Sequence, residues 1–163
     1  MVTVLILAGG KSDRMGRDKA LMDGGVEHLR TLALDAGVER IITLCGDDNR
    51  ISLFEGEVWP DPPPCTSLRE VLQWAFGKIG GTIQLIPCDA FQLQRSGLEF
   101  LLNCGGGVPL DEHGKRQPLL AHCPDEWTPT LSGRDVSSLF SNLQDLDAGR
   151  LTGQMKNFNT PLD

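Results

Sequence analysis

Lys11, Arg14, Arg17 and Lys19 place four cations within nine residues, immediately after the glycine pair Gly9-Gly10. Glycine permits positive φ and lets backbone N–H groups approach a ligand closely. A Gly-rich turn rimmed by lysine and arginine is a concave anion site, read here as a triphosphate cradle. Two familiar phosphate motifs do not fit. A Walker A loop needs a glycine five residues before its Gly-Lys pair, and position 5 is Leu5. The dinucleotide fingerprint needs a third glycine at a spacing this stretch lacks. An ordinary solvated basic loop would share the composition, but not the ordered pattern described below.

A second candidate is Asp89, at the end of an apolar run inside Pro87-Cys88-Asp89. A hard carboxylate oxygen there suits Mg²⁺, which takes one or two carboxylates plus substrate phosphates. Capping of the following turn is the competing role. Asp61 lies in the proline-rich stretch Pro60-Asp61-Pro62-Pro63-Pro64, where it could equally serve the turn alone.

The elements that must position these residues follow from patterning. Val2 to Ile6 is β-branched and unalternating, as in a strand buried on both faces. Val26, Leu29, Leu32, Ala33 and Ala36 recur at helical spacing, ended by Gly37. Arg40 to Cys45 reads as a second strand with a loop at Gly46–Asn49, and Glu57 to Trp59 as a third, stopped by the prolines. Ser67-x-x-Glu70 is a capping box opening a helix along Leu68, Val71, Leu72, Ala75, Phe76 and Ile79. Thr82 to Ile86 is a further strand, followed by a short helix around Leu98, Leu101 and Leu102. Val108–Leu110 and Lys115–Ala121 read as a hairpin about a polar tip, and Val136, Leu139, Phe140 and Leu143 as a last amphipathic helix.

Strands alternating with helices predict an α/β fold: a three-layer α/β/α, Rossmann-like sheet, mostly parallel, with an antiparallel element in the C-terminal half. Ligands of such sheets bind at the carboxyl ends of strands, so the loop at Gly9–Lys19, the Gly46–Asn49 loop and Asp89 should share one edge.

With 163 residues the chain fits one domain, 1–163. Net charge of −7 argues against a nucleic-acid surface. No apolar run approaches a membrane span, and the short apolar start reads as strand rather than leader. Five cysteines, 16 to 23 residues apart with no CxxC pair, fit reduced thiols in a cytoplasmic protein.

The ordered stretch Leu7-Ala8-Gly9-Gly10-Lys11-Ser12-Asp13-Arg14-Met15-Gly16-Arg17-Asp18-Lys19 resembles the signature of nucleotidyltransferases with a Rossmann-like fold, and most of all the molybdenum cofactor guanylyltransferases. That resemblance implies transfer of GMP from GTP to molybdopterin, giving molybdopterin guanine dinucleotide and pyrophosphate, with Mg²⁺ as cofactor. It implies that Leu7, Ala8, Gly9, Gly10, Lys11, Ser12, Arg14, Lys19, Asp61 and Asp89 contact nucleotide. Lys19, Arg14 and Asp89 would be catalytic, with Asp89 on the metal. Asn157-Phe158-Asn159-Thr160-Pro161 resembles the family's closing motif, so Asn157 and Asn159 are expected at the acceptor, as is Arg116 of the matching Arg116-Gln117-Pro118-Leu119 stretch. Molybdopterin carrier or insertion proteins would be further partners. The resemblance also implies that 1–103 is mainly a nucleotide half and 104–163 mainly an acceptor half.

Two stretches depart from the family. Cys45-Gly46-Asp47-Asp48 stands where relatives commonly carry a nucleotide-contacting asparagine, and Pro64-Cys65-Thr66-Ser67-Leu68 replaces a Gly-Pro-Leu-x-Gly loop. Both fall on the base side. Gly9-Gly10, rather than Ala-Gly, favours guanylyl over cytidylyl transfer. Cytidylyl transfer, a sugar-phosphate nucleotidyltransferase and a GTP-binding module without transfer activity remain alternatives.

Overall fold

A computed structural model describes residues 1–9 and 19–156, with the side chains of Lys19, Met22 and Asp23 outside the description. Among the described residues, five strands form one sheet in the order β3-β2-β1-β4-β6. They are β1 (Val2–Leu7), β2 (Arg40–Gly46), β3 (Glu57–Pro60), β4 (Thr82–Pro87) and β6 (His122–Cys123). β1 lies at the centre, parallel to β2 on one side and β4 on the other, and β3 runs parallel to β2. β6 is antiparallel to β4, pairing Ile83 with Cys123 and Gln84 with His122. The expected mostly parallel sheet with one antiparallel element is therefore observed.

Alternation along the strands divides the core between two faces. Val4 and Ile6 of β1 pack with Val26, Leu29 and Ala33 of α1 (Gly25–Asp35) and with Leu98 and Leu101 of α3 (Arg95–Leu102). Leu5 and Leu7 point the other way, to Val71, Leu72 and Ala75 of α2 (Leu68–Lys78). Helices thus cover both faces of the central strands, which is why those strands carry no polar alternation. The capping box forms: the Ser67 hydroxyl accepts the Glu70 N–H at 3.2 Å. Gly37, at φ 87°, follows the end of α1 as anticipated.

Three expectations need correction. The third strand includes Pro60, tolerated because β3 pairs only with β2 and forms the sheet edge. The hairpin forms, but as isolated bridges rather than a continuous ladder: Gly107 pairs antiparallel with His122 at its base, and Gln117 N donates to Pro109 O at 2.9 Å. Leu110 bridges Arg116, and the Asp111 carboxylate accepts the N–H groups of His113 and Lys115 at 2.8 and 2.9 Å. Burial works against that charge, yet these bonds and one from Gln117 hold Asp111 below the usual carboxylate range. Pro118, which has no N–H to offer a ladder, instead opens a 3-10 turn, Pro118–Leu120. The arm before the tip, β5 (Val108–Pro109), pairs in parallel with β7 (Asp145–Leu146) in a separate two-stranded sheet.

The last amphipathic helix is likewise only a 3-10 turn, Ser137–Phe140. Carbonyls of the segment before it are claimed by buried Arg69 of α2, which donates to Asp135 O at 2.7 Å and Thr130 O at 3.3 Å, and also to the Ser138 hydroxyl within the turn at 2.6 Å. Leu139 and Phe140 still bury fully, so the apolar spacing reported a packed face rather than a helix.

One buried polar pair joins β4 to β6. The Gln84 amide nitrogen donates to Leu85 O at 2.8 Å and Leu120 O at 2.9 Å, which leaves its oxygen facing His122 Nδ1 at 2.8 Å. His122 must therefore carry its proton on Nδ1. Burial lowers the His122 pKa from its ordinary 6.5. The unfolded chain accepts a proton that the folded one resists, so this contribution to stability is complete above the ordinary imidazole value. It is lost as pH falls from there toward the folded value. His122→Asn keeps a donor toward Gln84 without the titration. Thermal melts between about pH 7.5 and 5.5 should show a shallower loss of Tm for the variant than for the parent; equal slopes would remove His122 as the cause.

Candidate active site

Because β1, β2, β3 and β4 are parallel, their carboxyl ends meet on one edge of the sheet, with Ala8-Gly9, Asp47, Asp61 and Cys88-Asp89 following them in turn. Short backbone bonds fix these exits to each other. Ala8 N donates to Leu44 O at 2.8 Å, Cys88 N to Leu7 O at 2.9 Å, and Asp61 N to Gly46 O at 2.7 Å.

Gly9 and Gly46 meet at the centre of the edge. A Cβ on Gly9 would lie 2.8 Å from the Cα and N of Gly46, and a Cβ on Gly46, at φ +81°, would lie 2.7 Å from the Cα and O of Gly9. Neither neighbour is a side-chain end that could swing away. The two exits therefore form a bare backbone floor that only glycine permits at both places.

The rest of the edge is acidic. Asp89 is 6% exposed at the end of β4. Burial, with the nearby Asp47 carboxylate adding to it, pushes Asp61 above the usual carboxylate range. Asp47 accepts the Asn49 N–H and so starts the 3-10 turn Asp48–Leu53, which takes up the second half of the expected Gly46–Asn49 loop. Arg50 on that turn donates from Nε to Cys45 O at 2.9 Å and from Nη2 to Ala8 O at 2.8 Å. Burial raises the Cys45 thiol pKa, which makes this cysteine a packing group rather than a nucleophile.

Of the residues singled out from sequence, Leu7, Ala8, Gly9, Asp61 and Asp89 are brought to this edge. Gly10, Lys11, Ser12 and Arg14, the side chain of Lys19, and Asn157 and Asn159 lie outside the described residues. Arg116 lies in the C-terminal half, its guanidinium donating to Phe140 O at 2.8 Å and Leu143 O at 3.2 Å and paired with the Asp145 carboxylate. That is a structural task which its motif did not reveal. Arg50 and the Gly9–Gly46 contact were not singled out either. Arg50 bonds two carbonyls, one of them 42 residues away, and no local pattern encodes such a pairing.

Mg²⁺ can be tested against these donors. No group of three or more His, Cys, Asp or Glu able to hold a metal occurs among the described residues. A cation taking one protein carboxylate and completing its shell with phosphate and water oxygens nonetheless fits Asp89, a buried hard donor at the ligand edge.

A mostly parallel sheet flanked by helices, with a glycine floor and a buried aspartate at its carboxyl edge, defines a nucleotide-binding α/β domain. Residues 4–151 match the MobA-like NTP transferase domain, and the chain belongs to that family. It is 29% identical over 140 residues to the molybdenum cofactor guanylyltransferase of Pseudomonas aeruginosa, covering 80% of this chain and 66% of that protein, just under two thirds of the relative's length. The fold is similar to that of molybdopterin-guanine dinucleotide biosynthesis protein A from Archaeoglobus fulgidus, with a TM-score of 0.69, 17% identity, and coverage of 98% of this chain and 93% of the other. It also resembles 4-diphosphocytidyl-2C-methyl-D-erythritol synthase from Anaerococcus prevotii, with a TM-score of 0.58, 8% identity, and coverage of 99% and 93%. Among the described residues no helix is long and apolar enough to cross a membrane.

Proposed function

We propose that this chain is a Mg²⁺-dependent guanylyltransferase that transfers GMP from GTP to molybdopterin, releasing pyrophosphate. The observation that carries the reading is the Gly9–Gly46 floor sharing one sheet edge with buried Asp89, in a chain of the MobA-like family. Guanine lies against the floor, where the absence of side chains admits a flat ring. Lys11, Arg14 and Lys19, from the basic loop after β1, hold the phosphates by charge-assisted hydrogen bonds. Asp89 would hold the metal, whose charge on the phosphates supports departure of pyrophosphate. Asp61 accepts from the nucleotide on the β3 side. Asn157 and Asn159 take the pterin, offering both donors and acceptors, and Arg116 shapes the acceptor half. Such a reaction belongs in the cytoplasm, with molybdopterin delivered by a carrier.

Little covalent work is asked of the protein. Positioning GTP in line with the attacking molybdopterin phosphate and neutralising developing charge supply most of the acceleration.

Thermal melts with each nucleotide test the reading. GTP with Mg²⁺ should raise Tm more than ATP, CTP or UTP, since a ligand at 100 times its Kd adds about 2.7 kcal/mol. A larger shift with CTP would move the assignment to cytidylyl transfer.

A further inference from the structure

The register of β1 with β2 ends at the pair Leu7 and Leu44, and the last backbone bond between the two exits is Ala8 N to Leu44 O. One side chain carries the connection further. Arg50 grips Cys45 O through Nε at 2.9 Å and Ala8 O through Nη2 at 2.8 Å. Each of these carbonyls belongs to the residue directly before a floor glycine, Cys45 before Gly46 and Ala8 before Gly9. The guanidinium lies over the ring of Phe54, 5.7 Å from its centroid, and Phe54 is itself buried. The turn that presents Arg50 is started by the Asp47 carboxylate and closed by Arg50 N to Asp47 O at 3.0 Å. The arginine is thus fixed at its backbone, its ring support and its fork.

We propose that Arg50 is a positioning residue for the nucleotide. By holding Ala8 and Cys45 together it keeps the Gly9–Gly46 floor closed and fixes the direction in which the chain leaves β1 toward the basic loop. It need not touch substrate. The geometry demands an arginine: two donors on one rigid planar group reach two carbonyls at once, whereas a lysine ammonium has no such fork. The proposal rests on the reading of this edge as a GTP site, and two independent measurements separate the failure of one from the failure of the other.

The first measurement is amide exchange in the free protein. Ala8 N and Asp61 N are hydrogen-bonded reporters on either side of the floor, and Leu85 N, bonded to Ala121 O, reports the core. In Arg50→Lys the Ala8 and Asp61 amides should exchange about tenfold faster or more, the loss expected for one charge-assisted bond, while Leu85 is unchanged. The second is kinetics on Arg50→Lys and Arg50→Ala at a temperature where both are folded. KM for GTP should rise about tenfold while kcat changes by less than about threefold, because what is lost is uniform binding. Methylguanidinium added to Arg50→Ala should restore part of the affinity.

Unchanged Ala8 and Asp61 exchange overturns the proposal. So does equal acceleration at Leu85, which would make Arg50 a general stabiliser, and so does an unaltered KM. A parent protein that binds no nucleotide refutes the functional reading and the nucleotide half of the proposal, and the exchange measurement then decides the clamp alone.

Discussion

Asp89→Asn is expected to lose roughly a hundredfold or more in turnover with little change in fold, since metal stabilisation of phosphoryl charge amounts to several kcal/mol. The substitution keeps the shape and one acceptor oxygen at a position only 6% exposed, so packing is preserved. What disappears is the charge, and a neutral amide is a poor ligand for a cation as hard as Mg²⁺. The loss should be partly relieved by raising Mg²⁺, while GTP affinity measured without metal stays close to that of the parent. Steady-state rates across a Mg²⁺ series decide it. Full activity at low Mg²⁺ would place the metal on other residues and leave Asp89 as a cap for its turn.

Gly46→Ala should be strongly destabilising for a single added methyl. At φ +81° an alanine pays the left-handed penalty, and its Cβ then lies 2.7 Å from two backbone atoms of Gly9. Together these cost roughly 2–5 kcal/mol, the sum of backbone strain and overpacking. Gly37→Ala is the matched control, because Gly37 has φ +87° and nothing within 4 Å of the added Cβ. It should pay only the conformational part, about 1–2 kcal/mol. Denaturant melts of the two variants isolate the contact, and GTP titration of folded Gly46→Ala should show weakened binding as the exits are forced apart. Equal destabilisation of the two would mean that the floor is loose and carries no constraint.

Much of this arrangement is legible in the chain itself. Buried parallel strands announce themselves as unalternating β-branched runs, and β1, β2 and β4 lie where those runs are. The capping box at Ser67 and the glycine at position 37 fix helix ends through local chemistry alone. The rule that ligands sit at the carboxyl ends of strands then brings Gly9, the loop at Gly46 and Asp89 together without coordinates, whereas Asp61 was marked only by the family resemblance. What the pattern could not carry was long-range competition for backbone groups. The turn Ser137–Phe140 has the spacing of a helix, but Arg69, far away on α2, takes Asp135 O just before it together with the Ser138 hydroxyl. Arg116 sits in a recognisable motif, yet three partners between residues 140 and 145 decide where its guanidinium points. Arg50 is the same case within the site: its meaning lies in two carbonyls that only the folded sheet brings side by side.

Guanylyl transfer to molybdopterin is tested most directly by product formation. The protein would be incubated with molybdopterin, Mg²⁺ and each of GTP, CTP, ATP and UTP, with the dinucleotide and pyrophosphate measured by mass spectrometry and a coupled assay. Molybdopterin guanine dinucleotide and one pyrophosphate per product should appear with GTP only, and only when both molybdopterin and Mg²⁺ are present. Product from CTP in place of GTP, or GTP bound without any dinucleotide formed, would contradict guanylyl transfer.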